Sequence, residues 1–154
     1  MPTGRVVSLH VASVAGAAMQ RVDSVRAVAG RGLEGDRYFL KTGTYSRKDG
    51  SDREITLIET EALEALARDY ALSIDASESR RNVATRDVAL NHLVGRTFRV
   101  GDATVRGLRL CEPCGHMERL CGKKIRPGLV HRGGLRAEIL ADGVIRVGDP
   151  VDVP

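Results

Sequence analysis

Aromatic side chains are scarce in this sequence, and their scarcity excludes several functions. Only 3% of the 154 residues are aromatic, and tryptophan is absent. Proteins that bind single-stranded nucleic acid without sequence preference need aromatic faces on which the bases stack. The formal net charge is only +4, and no polybasic run of lysines and arginines is present. We therefore expect no nucleic-acid partner, and we expect a core built from Val, Leu, Ile and Ala.

Long apolar segments are also missing. No stretch approaches the roughly 20 apolar residues that a membrane helix needs, so no membrane association is expected. Arg5 and His10 interrupt the apolar residues near the N-terminus, and no clear signal-peptide core follows. The three cysteines are an odd number and cannot all pair within one chain. We therefore expect a cytoplasmic location, where free thiols with a chemical role are favoured over disulfides.

The residues that are present predict a single globular domain over residues 1–154, in which strands predominate. The chain is 42% hydrophobic and 29% charged, as in ordinary folded domains. Segments rich in β-forming residues predict strands at residues 6–14, 24–28, 54–58, 97–100, 104–110, 135–140 and 144–147. We expect two hairpins, one around Gly101-Asp102 and one around Ala141-Asp142-Gly143. The predicted architecture is a mostly β, closed or partly closed barrel.

Helices are predicted in two places. Residues 59–72 form the clearest candidate, because Leu63, Leu66 and Tyr70 would share one face at helical spacing. A short helix is predicted over residues 115–120. A parallel doubly wound sheet would require strands and helices to alternate along the chain, and the sequence shows no such alternation.

Three glycines near residue 30 match the spacing of a dinucleotide-binding motif. Gly30, Gly32 and Gly35 fit GxGxxG, but residues 36–52 show no helical period behind them. We therefore interpret the glycines as a tight turn with positive φ rather than as a phosphate site. The polar residues 42–52 predict a mobile surface loop.

The segment from Cys111 to His116 is the chemical centre of the sequence, and several interpretations of it are open. Cys111 and Cys114 have the C-x-x-C spacing of a redox pair. Together with His116 and Cys121 they also supply the ligand types of a zinc site. Alternatively, one cysteine is a nucleophilic or metal-ligating thiolate that the others support. The plainest interpretation is three ordinary buried cysteines.

Arginines beside glycines, turns and strand ends are candidates for binding an anion. Planar guanidinium groups recognise phosphate with paired donors. The candidates are Arg37, Arg53, Arg80, Arg81 and Arg132. Taken singly, each of them could equally be a solvated surface charge.

Several motifs, in the right order, resemble the MOSC family, the domains of the molybdenum cofactor sulfurase C-terminal type. The resemblance covers about residues 30–151. Its motifs are Gly32-Leu33-Glu34-Gly35-Asp36-Arg37, Arg53-Glu54-Ile55-Thr56-Leu57-Ile58, Arg80-Arg81-Asn82-Val83, Pro113-Cys114, Gly133-Gly134-Leu135-Arg136-Ala137 and the two Gly-Asp turns at residues 101–102 and 148–149. The chain is similar to stand-alone bacterial-type members.

The resemblance implies a mostly β barrel with a few short helices, and molybdenum-cofactor or sulfur chemistry. The family's cysteine corresponds to Cys114, which would carry a persulfide or ligate molybdenum. Arg81 and Asn82 match family positions near the pterin phosphate, and Arg80 belongs to the same motif. Arg37, Arg53 and Arg132 are added to the cofactor-binding candidates by extrapolation.

The leading hypothesis is a sulfur carrier or sulfurtransferase. We expect no pyridoxal-phosphate desulfurase domain in these 154 residues, so a separate cysteine desulfurase that binds pyridoxal phosphate would be the sulfur donor. The acceptor would be a metal-sulfur cofactor, such as the molybdenum cofactor, or its enzyme. A second hypothesis is a molybdenum-cofactor reductase of N-hydroxylated compounds with Cys114 as molybdenum ligand. A third is a non-enzymatic domain stabilised by zinc at Cys111, Cys114, His116 and Cys121.

Overall fold

A computed structural model describes residues 3–44 and 52–154. Most of the predicted surface loop at residues 42–52 therefore lies outside the described residues. Within the part of the chain that the structure describes, no helix is long and apolar enough to span a membrane.

Strands make up most of the ordered structure, as the sequence predicts. They are β1 Gly4–Val11, β2 Gln20–Val22, β3 Ser24–Val28, β4 Gly32–Leu33, β5 Ile55–Glu59, β6 Val83–Arg86, β7 Thr97–Val100, β8 Ala103–Leu110, β9 Leu135–Ala141, β10 Gly143–Arg146 and β11 Pro150–Asp152. The α-helices are α1 Thr60–Tyr70, α2 Gly115–Cys121 and α3 Arg126–Leu129, and 3₁₀ turns cover Ala76–Ser79 and Leu90–Leu93. The short strands β2, β4, β6 and β11 and helix α3 were not predicted.

Seven strands close into a barrel. They lie in the order β11-β7-β8-β9-β5-β6-β1, and pairing of β1 with β11 completes the circle. Only β5 and β6 run parallel; the other pairs are antiparallel. The predicted barrel is thus confirmed, and it is closed. Its interior is aliphatic, with Leu9, Ile55, Leu57 and Leu135 fully buried, each stabilising the fold by about 1.5–3 kcal/mol.

Helix α1 follows β5 directly, close to where it was predicted, but it buries a different face. Leu66 is fully buried, whereas Tyr70 is 51% exposed. The helix contacts α3 at Gly128, where a side chain would lie 2.3 Å from Leu66 and 3.0 Å from Tyr70. The Tyr70 ring packs against buried Gly128, while the rest of the residue stays exposed. The predicted face of Leu63, Leu66 and Tyr70 is therefore only partly correct.

The two predicted hairpins have different outcomes. Strands β7 and β8 pair around Gly101, which has a φ of 57°. Strands β9 and β10 do not pair with each other, so the hairpin around Ala141-Asp142-Gly143 is wrong. Gly143 lacks the positive φ that a tight hairpin turn needs. Instead β9 stays in the barrel, while β10 pairs with β3 in a separate three-stranded sheet.

The glycine turn near residue 30 has the predicted geometry. Gly30, Gly32 and Gly35 have φ values of 73°, 119° and 86°. Within the described residues 36–44 no helix begins behind them, and Asp36 instead starts a series of turns. The interpretation as a turn, rather than as a dinucleotide site, is therefore confirmed.

Candidate functional site

The cysteine segment leaves the end of strand β8, so the barrel sets its position. Cys111 directly follows Leu110, the last residue of that strand, and is buried. Cys114 is exposed and is the residue before helix α2. Cys121 ends that helix and is half-buried. All three thiols are free. Of the three, only Cys114 is exposed and directly accessible to a reactant.

Arg81 holds the backbone of this segment in place. Its Nε donates to the carbonyl of Gly133 at 2.8 Å, and its Nη2 donates to the carbonyl of Cys111 at 3.0 Å. The Cys111 amide donates in turn to the carbonyl of Gly134 at 2.7 Å. Arg81 is only 7% exposed, and buried carbonyls that lose their donors are costly. One guanidinium therefore joins the cysteine segment to the entry of β9.

Glycine at position 133 allows the two segments to approach closely. A side chain there would lie 2.3 Å from the Cys111 carbonyl and 3.1 Å from Pro113. A second contact joins Glu112 to His131: the carboxylate accepts from the His131 amide and contacts its Nδ1, both at 2.7 Å. The Gly133-Gly134 motif thus packs against the reactive segment rather than forming an isolated turn.

A cleft of about 540 Å³, open to solvent, lies beside Cys114. The residues that line it are Arg37, Tyr38, Thr44, Thr56, Arg80, Arg81, Cys111, Glu112, Cys114, His116, Met117 and Arg136. The lining therefore combines one exposed thiol with four arginines.

Three of these four arginines have no ion pair among the described residues, although the charges of Asp36 and Asp52 act on Arg80 and Arg136. Arg37 pairs with buried Asp36 at 3.0 Å. By contrast, within residues 3–44 and 52–154, Arg80, Arg81 and Arg136 form no ion pair and bond only to backbone carbonyls. The Nε of Arg136 is buried and has no hydrogen-bond partner among the described residues. The cleft is therefore electropositive beside the thiol.

The pKa values of neighbouring groups report this field. Burial, together with the charge of Arg37, lowers the pKa of Arg80. Burial also lowers the pKa of His116, and the charges of Arg119, Arg80 and Arg37 lower it further. Both shifts disfavour additional positive charge, as expected where cations crowd together. Both effects favour the neutral form of the His116 imidazole.

The structure brings together only some of the predicted site residues. Cys114, Arg37, Arg80 and Arg81 line the cleft, but Asn82, Arg53 and Arg132 do not.

Asn82 stabilises the barrel from directly behind the cleft. Its Oδ1 accepts from the amide and the hydroxyl of Thr56, both at 3.1 Å. Its Nδ2 donates to the carbonyl of His10 at 3.1 Å. Thr56 lines the cleft, so Asn82 contacts the lining without reaching the open space itself.

Arg53 and Arg132 lie elsewhere. Arg53 donates to the neighbouring carboxylate of Asp52 at 2.8 Å. Arg132 is exposed, and its charge acts on Glu59 and Asp69 beside helix α1. Neither side chain is placed to bind a ligand at Cys114.

The four zinc candidates do not form a metal site. No group of three or more His, Cys, Asp or Glu side chains in the described ranges has the arrangement to hold a metal ion. Cys111 is buried, while the Sγ of Cys121 contacts the carbonyls of Glu118 and Lys123 at the far end of α2. Helix α2 separates Cys114 from Cys121 by seven residues, about 10 Å along its axis. The predicted zinc site is therefore corrected.

Arg136 is the cleft arginine that sequence reasoning missed. It lies on β9 opposite Thr56 of β5, and both side chains face the cleft. Buried Leu135 and Ala137 flank it, so strand alternation turns its side chain to the outer face. An arginine two residues after Gly134, on the strand that follows the Gly133-Gly134 motif, was the available signal.

Comparisons with known proteins agree with this architecture. The family model described as MOSC domain matches residues 44–152. The crystal structure of YuaD from Bacillus subtilis superposes with a TM-score of 0.81 at 17% identity, covering 97% of this chain and 94% of that chain. YiiM from Geobacillus stearothermophilus gives a TM-score of 0.74 at 16% identity, covering 98% and 75%. YiiM from Escherichia coli gives 0.69 at 18% identity, covering 100% and 70%. At these identities the structures show a shared fold alone, and no curated protein matches the chain in sequence.

Proposed function

The chain belongs to the MOSC domain family, and on that premise we propose that it is a sulfur carrier in which Cys114 holds a persulfide. MOSC domains are associated with molybdenum-cofactor-related sulfur or reductase functions. Delivery of the sulfur to a metal-sulfur cofactor, such as the molybdenum cofactor, is the function that this site supports best.

The observation that carries the proposal is the placement of Cys114. It is the one exposed cysteine among the three, and it borders the arginine-lined cleft. A carrier thiol must reach a donor and then an acceptor, so it has to be accessible. The rigid attachment of the Cys111 backbone through Arg81 keeps the thiol at one position while reactants exchange.

The two transfer steps need no oxidant or reductant. The Cys114 thiolate attacks the outer sulfur of the donor's persulfide, a new S–S bond forms, and the donor's own S–S bond breaks. The donor leaves as a thiolate with the bonding electron pair. In the second step a nucleophilic acceptor attacks the outer sulfur on Cys114, and Cys114 leaves as a thiolate. We propose a cysteine desulfurase, with its own pyridoxal phosphate, as the donor.

The residues present fit a phosphate-bearing sulfur acceptor. Arg80, Arg81 and Arg136 offer guanidinium groups that have no ion pair among the described residues, and the buried Nε of Arg136 still requires a partner. Guanidinium groups bind phosphate with paired, charge-assisted hydrogen bonds. These three side chains would therefore hold and orient the anionic acceptor, with His116 at the edge of the cleft.

Intact mass measured on protein purified without reductant tests the carrier. After incubation with a cysteine desulfurase and cysteine, the wild type should gain the mass of one sulfur atom, and reductant should remove it. Cys114→Ala should gain nothing. Cys121→Ala is the matched control, because Cys121 is also a free, partly accessible thiol, and it should load like the wild type. Loading that persists in Cys114→Ala would refute the proposal.

A second candidate uses the same cleft. The thiolate of Cys114 is a soft ligand that suits molybdenum, and the arginines of the cleft favour an anionic cofactor beside it. A bound molybdenum cofactor would supply the redox chemistry for reducing N-hydroxylated compounds. Elemental analysis separates the two candidates: molybdenum that co-purifies with the wild type and is lost in Cys114→Ala favours the reductase.

A further inference from the structure

Among the described residues, four arginines but only one carboxylate, that of Glu112, line the cleft beside Cys114. Arg80, Arg81 and Arg136 line the cleft and bond only to backbone carbonyls, and the buried Nε of Arg136 has no partner there. Arg81 uses two of the five N–H donors of a guanidinium on the carbonyls of Gly133 and Cys111. Three cations thus border one exposed thiol and retain free hydrogen-bonding capacity.

Such a field favours a reaction between two anions. A thiolate and an anionic donor repel each other, and the repulsion is large where water is partly excluded. Cationic groups around the thiol remove that barrier and concentrate anions in the cleft. The persulfide of a protein donor carries a single charge and does not require three guanidinium groups. A small donor with two negative charges makes fuller use of them.

We propose that Cys114 also takes sulfur directly from a small thiosulfonate-type dianion, of which thiosulfate is the simplest. Arg80, Arg81 and Arg136 hold its sulfonate oxygens, which accept hydrogen bonds in the geometry that a guanidinium offers. This inference rests on the proposed function, since it takes Cys114 to be a carrier of sulfane sulfur, and it names a second class of donor.

The step balances without any other reactant. The Cys114 thiolate attacks the outer sulfur of thiosulfate, and an S–S bond forms on Cys114. The bond between the outer and the sulfonate sulfur breaks, and sulfite leaves with the electron pair. The arginines neutralise the dianion as it enters and stabilise the charge on the departing sulfite.

Loading by thiosulfate tests the proposal. Wild-type protein incubated with thiosulfate should gain one sulfur atom by intact mass and release one equivalent of sulfite, whereas Cys114→Ala should do neither. Loss of one charge-assisted hydrogen bond should slow loading of Arg136→Gln about tenfold. The matched control is Arg99→Gln, because Arg99 is an exposed arginine outside the cleft. It should load at the wild-type rate.

Circular dichroism shows that each variant is folded, and alkylation by neutral iodoacetamide shows that its Cys114 thiol is accessible and reactive. Arg80→Gln provides a second cleft variant if Arg136→Gln does not fold. If a desulfurase with cysteine loads Cys114 but thiosulfate does not, the thiosulfate inference is wrong and the carrier stands. If neither donor loads a thiol that iodoacetamide still alkylates, both are wrong. Loading by thiosulfate that is equally fast in wild type and in both cleft variants would contradict the role given to the arginines.

Discussion

The arginines of the outer surface and those of the cleft differ in what neutralises them. On the surface Arg5 pairs with Asp87, and Arg146 pairs with Asp102, and all four side chains are more than half exposed. In the cleft Arg81 and Arg136 bond to backbone carbonyls, which carry no net charge. The charge of a paired surface arginine is balanced by its carboxylate partner, whereas an arginine bonded only to carbonyls has no counter-charge in direct contact. This difference indicates that the cleft, rather than the outer surface, holds the positive charge that an anionic reactant can bind.

The largest expected effect comes from removing a cleft arginine that also holds backbone. Arg81→Met should lower the free energy of unfolding by about 3 kcal/mol, because two carbonyls lose a charged donor. Arg146→Met, the surface counterpart, should change it by less than about 1 kcal/mol, as exposed ion pairs contribute little. Urea unfolding of both variants gives the comparison. Equal losses would mean that the two classes of arginine do not differ in structural role.

Asn82 sharpens the comparison, because it lies behind the cleft but outside its lining. Asn82→Ala removes hydrogen bonds to Thr56 and to the His10 carbonyl, and should cost about 2 kcal/mol of unfolding free energy. The charge of the cleft is unchanged by this substitution. The rate of Cys114 alkylation by anionic iodoacetate, relative to neutral iodoacetamide, should therefore stay at the wild-type value.

Arg80→Gln is the opposite case and serves as the control for that measurement. It removes a cleft charge whose hydrogen bond goes to the carbonyl of Ala17, so the preference for iodoacetate should fall. A fall of the same size in Asn82→Ala would contradict the assignment of Asn82 as a purely structural residue.

The barrel was predictable because strand signals are local. The alternation of β9 and the Gly101 turn of the first hairpin can be read from neighbouring residues. The prediction of the second hairpin failed because Ala141-Asp142-Gly143 has the composition of a turn. In the structure the Asp142 carboxylate instead accepts a hydrogen bond at 2.7 Å from the amide of Ala29, which is far away in sequence. Partners so distant in sequence decide which sheet β10 joins, and no local pattern contains them.

The site was predictable in its cysteine and only partly in its arginines. Cys114 followed from its motif and from the strand end before it. Arg37, Arg80 and Arg81 reach the cleft as expected, but Arg53 turns to its neighbour Asp52, and Arg132 lies beside α1. Arg136 was overlooked although its motif was recognised, because its access to the cleft depends on its pairing with Thr56. Residue type indicates that an arginine can bind an anion, while tertiary pairing decides whether it does.

The smallest expected effect is a change in the pKa of His116, which reports the charge of the cleft arginines and is measured by titration. Burial and the charges of Arg119, Arg80 and Arg37 hold the pKa of His116 below its ordinary value. Removing the Arg80 charge should raise this pKa toward the ordinary value, which NMR of the imidazole protons can follow. Arg5→Gln is the surface control and should leave it unchanged, since Arg5 is paired with Asp87 and is not among the charges acting on His116.

The sign of the accompanying stability change follows from linkage. Because the pKa of His116 is lower in the folded protein, the unfolded chain binds the proton more tightly. The stabilisation from neutral His116 is therefore complete above about pH 6.5, the unfolded value, and is lost as the pH falls toward the folded pKa. In Arg80→Gln the folded and unfolded pKa values of His116 should lie closer together. The free energy of unfolding should therefore depend less on pH between these two values. An unchanged pKa and an unchanged slope would show that the charge of Arg80 is already neutralised, and the distinction between cleft and surface arginines would then fail at this residue.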